Sequence, residues 1–274
     1  MNLKFVVNDY MLIWNILYQA SINKEVHKAK QKLWVNYKEQ YNKTTYDIIS
    51  IYKENKNFLP DDDTLYNLIF ELPIYDALKK ETEKYKMRLL KFWDGHKKQV
   101  NTLLKKLLRF DLKPYTTFVV HPDFDVIELS FGKEKINGLC IGTKIEESLL
   151  IEIVLKIVKN ELKGYREDYQ DMVDAIIELA VTNEFATLLT GNSAYMEGDK
   201  TLRFLKRQLY PYWLMYLGAD HEEMLTYMMR DKIVFDTEKY TVEPSLKKVD
   251  LFSFVDFCIK NQRYIIKLNE LDIH

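Results

Sequence analysis

TTFVVHPDFDVIELSFGKEKINGLCIG, residues Thr116 to Gly142, separates an α+β fold from an all-helical one. Three short runs within it, Thr116–His121, Val126–Phe131 and Asn137–Gly142, are rich in β-branched and aromatic residues. Such side chains pack well on a pleated surface and lose rotamer freedom on a helix. Pro122-Asp123, Gly132-Lys133 and Asn137-Gly138 bound the runs and supply turn chemistry. The pattern predicts a small sheet. On both sides the apolar spacing becomes helical. Upstream, Leu89, Leu90, Trp93, Val100, Leu103, Leu104 and Leu107 trace one face of a long helix that follows Pro73. Downstream, helices are predicted over Glu146–Leu162 and Asp171–Leu189 and onward to Lys260, with breaks at Gly164, Gly191 and Gly218. The expected fold class is therefore α+β: predominantly helical, with one small sheet over about residues 116–142 packed beside a pair of helices.

Farther from this centre, Leu3–Val7 reads as a short strand and Asp9 to about Tyr41 as helix. Another helix is expected to reach about Lys56, and Pro60-Asp61-Asp62-Asp63 opens the next, with acids at its positive end. Tyr264–Leu268 is expected to form a last strand. No repeat or low-complexity linker marks a boundary, so residues 1–274 read as a single domain. A helical lobe 1–112 with a core 113–274 is the alternative division.

Composition excludes several function classes. Lys plus Arg number 40 against 41 Asp plus Glu, so the chain lacks the cationic surplus that phosphate backbones demand, and nucleic acid is not an expected partner. The hydrophobic fraction of 47% and aromatic fraction of 14% are enough for a packed core. No stretch approaches the roughly 20 apolar residues of a membrane span, and no signal peptide is read at the N-terminus, so a cytoplasmic, membrane-free protein is expected. Cys140 and Cys258 sit among apolar neighbours and read as small buried hydrophobes.

No complete catalytic or metal-binding motif is present. His27, His96, His121, His221 and His274 are too dispersed for two to share a helix face at metal-ligand spacing. His27 and His96 read as solvated. His121, before Pro122 and Asp123, reads as a turn histidine bonded to backbone. No glycine-rich phosphate loop and no nucleophile elbow occur. Tyr210 to Tyr216 is dense in aromatics and reads as core around a proline-kinked helix. Asp174 and Glu178, one turn apart, read as plain surface acids. Glu184 is different: Ala180, Val181, Thr187 and Leu188 surround it on the helix, so its carboxylate is expected to be either partnered or, if truly buried, protonated.

The succession of strands, the helix Glu146–Leu162 and the helix Asp171–Leu189 resembles the core of gluzincin-type, thermolysin-like zinc metallopeptidases. In that family a sheet whose edge strand lines the substrate cleft precedes a HExxH helix, and a glutamate ligand follows on a later helix. The resemblance covers about residues 116–191. It sets Leu149-Leu150-Ile151-Glu152-Ile153-Val154-Leu155 against the HExxH helix and Thr182-Asn183-Glu184-Phe185-Ala186-Thr187 against the third-ligand segment. It implies that Glu152 is the remnant of the general base, that Glu184 holds a former ligand position, and that Ile151 and Leu155 replace both zinc-binding histidines. A catalytic zinc needs about three protein ligands and a water, so the resemblance implies no metal, no cofactor and no hydrolysis. The expected role is binding or structure, with a protein or peptide as partner.

Two other readings stay open at this stage. Glu152 with Lys156 and Lys159 makes a polar stripe that suits a solvated face of an unrelated helical scaffold protein. A live hydrolase would instead need His121, Glu152, Glu184 and His221 to converge on one metal.

Overall fold

The computed structural model describes residues 1–18, 24–36, 38, 64–129, 137–232 and 244–266. They form a predominantly helical α+β protein with one four-stranded mixed sheet. Two compact units are present, each built from two or more stretches of chain. The first comprises residues 1–96 and 113–149, the second residues 97–112 and 150–274.

The sheet lies in the first unit. Strands β1 (Leu3–Val6), β2 (Tyr115–Val119), β3 (Val126–Leu129) and β4 (Gly138–Gly142) are ordered β1-β2-β4-β3. β1 runs parallel to β2 and β2 parallel to β4, while the edge strand β3 runs antiparallel to β4 with Val126 opposite Gly142. Parallel neighbours need a long crossover. Between β1 and β2 the chain supplies it with α1 (Asp9–Tyr18), α2 (Lys24–Asn36), α3 (Thr64–Phe70) and α4 (Pro73–Leu108). β4 is buried along its whole length, as befits a central strand whose two faces are covered. Met11, Leu12, Ile16, Tyr75, Leu78, Phe118, Val126 and Cys140 form one continuous cluster, with no exposed strand face among them.

α4 explains its own face. Tyr75, Leu78, Tyr85, Leu89 and Trp93 are buried in its first-unit part, and Val100, Leu104, Leu107 and Leu108 in its second-unit part. The three-and-four spacing is a single apolar stripe. At the end of α4, Arg109 takes a left-handed backbone (φ 58°), and its guanidinium donates to the carbonyls of Tyr216, Leu246 and Val249.

The second unit is helical. α5 (Glu147–Glu161) buries Leu150, Ile153, Val154, Ile157 and Val158. α6 (Gln170–Glu178) continues without interruption through a π-helical segment, Leu179–Phe185, into α7 (Ala186–Thr190), which Gly191 ends at φ 75°. α8 (Arg203–Leu217) contains Pro211 and packs on α6, as does α10 (Leu251–Lys260); α9 (His221–Asp231) and the short α11 (Gln262–Ile265) complete the unit. Trp213 stacks on Tyr216 at 5.0 Å, and both meet Phe254, which confirms the Tyr210–Tyr216 run as core.

Two expectations change. Gln262–Ile265 is helical rather than the start of a strand; its chain bonds locally, from Ile265 to Asn261 and from Ile266 to Gln262, and residues 267–268 lie outside the described residues. Glu178 is no surface acid. It lies on the buried side of an amphipathic helix whose Gln170 and Asp171 are exposed, and its carboxylate is buried against Lys206. The helix expected to reach Lys56 and the Pro60–Asp63 helix start lie outside the described residues. Among the described residues, no helix is long and apolar enough to cross a membrane.

Candidate functional site

The four residues set against the peptidase motif lie on α5 and on the π-helical segment. On α5, Ile151 and Leu155 are half-buried, at the border of the apolar face, and Glu152 is exposed. Glu152 forms no ion pair with Lys156; Lys159 reaches instead to Asp174, at 3.7 Å. An exposed carboxylate with no anchoring partner has neither the burial nor the orientation that tunes a general base.

Glu184 is the residue around which chemistry is concentrated. The π-helical segment widens the helix by one residue per turn, a feature frequent where a helix must aim a side chain. Asn183, beside it, donates through Nδ2 to the carbonyls of Ala194 and Glu197 and so straps the following loop to the helix. The Glu184 carboxylate is 4% exposed and accepts two parallel bonds from Arg230, Nη1 to Oε1 and Nη2 to Oε2, both 3.0 Å. Arg230 also grips Asp231, through Nε to Oδ1 and Nη2 to Oδ2, both 2.8 Å. Tyr210 and Ser193 donate their hydroxyls to Asp231.

One guanidinium thus serves two buried carboxylates, with hydroxyls meeting the surplus negative charge. Burial works against the Arg230 charge, but Asp231 and Glu184 outweigh it and hold its pKa above the ordinary value. Burial, and then the bond to Asp231, push the Tyr210 phenol well up, so it stays a donor. Arg230 lies 4.5 Å from the Tyr227 ring, a cation–π contact that fixes the guanidinium plane. A cavity of about 270 Å³ opens beside this group, lined by Lys106, Glu184, Leu188, Thr226, Tyr227 and Arg230 among others.

Zinc does not fit this donor set. Ile151 and Leu155 carry no ligating atom, and the guanidinium occupies both oxygens of Glu184. The alternative set of His121, Glu152, Glu184 and His221 fares no better. His121 in the first unit is held by Glu81, Glu152 is exposed, and His221 is an exposed residue at the start of α9. Among the described residues, no three His, Cys, Asp or Glu side chains are grouped to hold a metal ion. His121 does accept a backbone bond, from Asp123, as a turn histidine should.

The sequence singles out Glu184 as a carboxylate either partnered or protonated, and does not show that the partner is Arg230. Arg230 is 46 positions away, and no local pattern links the two. Lys206 was equally hidden among Arg203 and Arg207, although it falls on the stripe of Leu202, Leu209, Tyr210 and Trp213 that α8 buries. Comparison with family models, with curated proteins and with solved structures gives no match.

Proposed function

We propose that this chain has a zincin-like core that has lost metal chemistry and acts by binding a protein or peptide. One observation carries the reading: Arg230 supplies the countercharge to Glu184, the residue that the resemblance sets at the third-ligand position. A former ligand carboxylate that loses its cation becomes an uncompensated buried charge, which costs several kcal/mol (about 3–5) unless another cation arrives. A guanidinium is the side chain best shaped to replace it, because its fork matches both carboxylate oxygens. The order along the chain also suits the reading: parallel strands β1 and β2, the antiparallel edge strand β3, the central strand β4, α5, then the helix with Glu184. The exposure of Glu152 favours the second reading, an unrelated helical interaction protein whose small sheet is incidental.

The test rebuilds the lost site. With Ile151→His and Leu155→His alone, Arg230 still holds Glu184, and zinc binding is expected to be weak. Adding Arg230→Ala frees the carboxylate, and the triple variant is expected to bind one zinc per chain, about tenfold or more tighter than the double variant. Calorimetric titration with zinc, with circular dichroism to confirm folding, gives the readout. A folded triple variant with no zinc affinity sinks the zincin-like reading in favour of the unrelated helical scaffold.

A further inference from the structure

A second cavity lies wholly within the first unit. It measures about 530 Å³ and is lined by Glu81, Lys84, Arg88, His121, Pro122 and Asp123. We propose that this cavity binds the phosphate group of a small phosphorylated molecule, with Lys84 and Arg88 as the anion-gripping pair and His121 as the fixed wall. The proposal is independent of the zincin-like reading, whose four site residues, Ile151, Glu152, Leu155 and Glu184, lie in the other unit.

The argument starts from helix spacing. Glu81, Lys84 and Arg88 stand three and four residues apart on α4 and share one face. His121, just beyond β2, is 5% exposed and locked by two bonds. The Asp123 amide donates to Nδ1 at 3.2 Å, which leaves the ring proton on Nε2, and Nε2 donates to Glu81 Oε2 at 2.9 Å. Glu81 is therefore drawn to the histidine rather than to the lysine one turn on. The consequence is an asymmetry. Among the described residues, Lys84 and Arg88 are in no ion pair; the one contact of Arg88 is with the Tyr85 ring at 5.9 Å.

Glu81 and Asp123 also line the space, but both carboxylates are turned to His121, at 2.9 and 3.7 Å, so the two cations one turn apart are left to a dianion with several acceptor oxygens. A phosphomonoester fits this description better than a carboxylate, which has one charge for two cations. The volume exceeds what inorganic phosphate fills, so the rest of the ligand is a small polar body resting on Pro122 and the Asp123 turn. A nucleic-acid strand is not suggested, since the charge-balanced chain lacks the cations to follow a backbone.

The experiment uses the full chain at low ionic strength, with inorganic phosphate as probe and the His121 ring signals followed by NMR. Saturable binding that shifts those signals is expected. Lys84→Ala with Arg88→Ala should weaken it by about tenfold per cation removed. Both side chains are exposed, so the variant stays folded. The control Lys98→Ala with Lys105→Ala, on exposed positions elsewhere on α4, should bind as the parent does. Absence of saturable binding, equal loss in the control, or acetate binding as tightly as phosphate would each overturn the proposal.

Discussion

Lys206 is fully buried, with its ammonium 2.8 Å from Glu178 Oε2 and 2.6 Å from the carbonyl of Glu197. The backbone amide of Asp199 also donates to the Glu178 carboxylate, so helix α6, helix α8 and the loop between α7 and α8 meet at one ion pair. Breaking such a pair from one side strands a charge away from water. Lys206→Met is expected to lower unfolding free energy by about 3–5 kcal/mol, and adding Glu178→Gln should restore part of the loss. Urea unfolding measures both; a cost below about 1 kcal/mol for the single change would mean that water already reaches the pair. The sequence held half of this. Lys206 interrupts an apolar stripe, whereas Glu178 has Asp174 and Thr182 one turn away as well as Ala175 and Val181, which is why it reads as a surface acid. What it did not hold is that the two charges cancel, because pairing between helices depends on tertiary packing rather than on local spacing.

At the scale of elements, periodicity did most of the work. The three strands of the Thr116–Gly142 stretch were legible from β-branched and aromatic runs bounded by turn residues, and the helices around them from the three-and-four repeat. The strand order was not, since Leu3 of β1 pairs with Tyr115 of β2 and nothing local specifies a partner so distant. The π-helical segment was equally silent: Leu179–Phe185 has an ordinary helical composition. Two glycines separate local propensity from packing. A Cβ at Gly142 on β4 would lie 2.5 Å from Val120 Cγ2 and 2.7 Å from the His121 carbonyl oxygen, so Gly142→Ala is expected to cost about 1–3 kcal/mol. A Cβ at Gly95, inside α4, would meet nothing within 4 Å, and Gly95→Ala should stabilise by about 0.5–1 kcal/mol. Thermal melts of the two variants should therefore move in opposite directions; a shift of the same sign in both would contradict the close approach at β4.

For the molecule as a whole, the division into units does not follow chain order. The chain passes from the first unit to the second within α4, returns after Leu112, and leaves again within α5. Each unit has a cavity of its own, with Lys84 and Arg88, in no ion pair among the described residues, in one and the Glu184–Arg230 pair in the other. A fragment of residues 1–112 would keep β1 but lose β2, β3 and β4, along with Phe118, Val126 and Cys140 of the cluster. It is expected to melt without a cooperative transition by circular dichroism, and a sharp transition would show that the helices of the first unit need no sheet. The pairing of Leu3 with Tyr115 also has a consequence in time. A ribosome adds about 5–20 residues per second, so β1 emerges on the order of 5–20 s before the strand that it joins. Throughout that interval its backbone donors and acceptors have no ladder to enter, and α1, with Leu12, Ile16 and Leu17 along one side, has no sheet to cover them. β1 thus waits for β2 while the crossover is made, and that interval is when chaperones that shield nascent apolar segments would meet it.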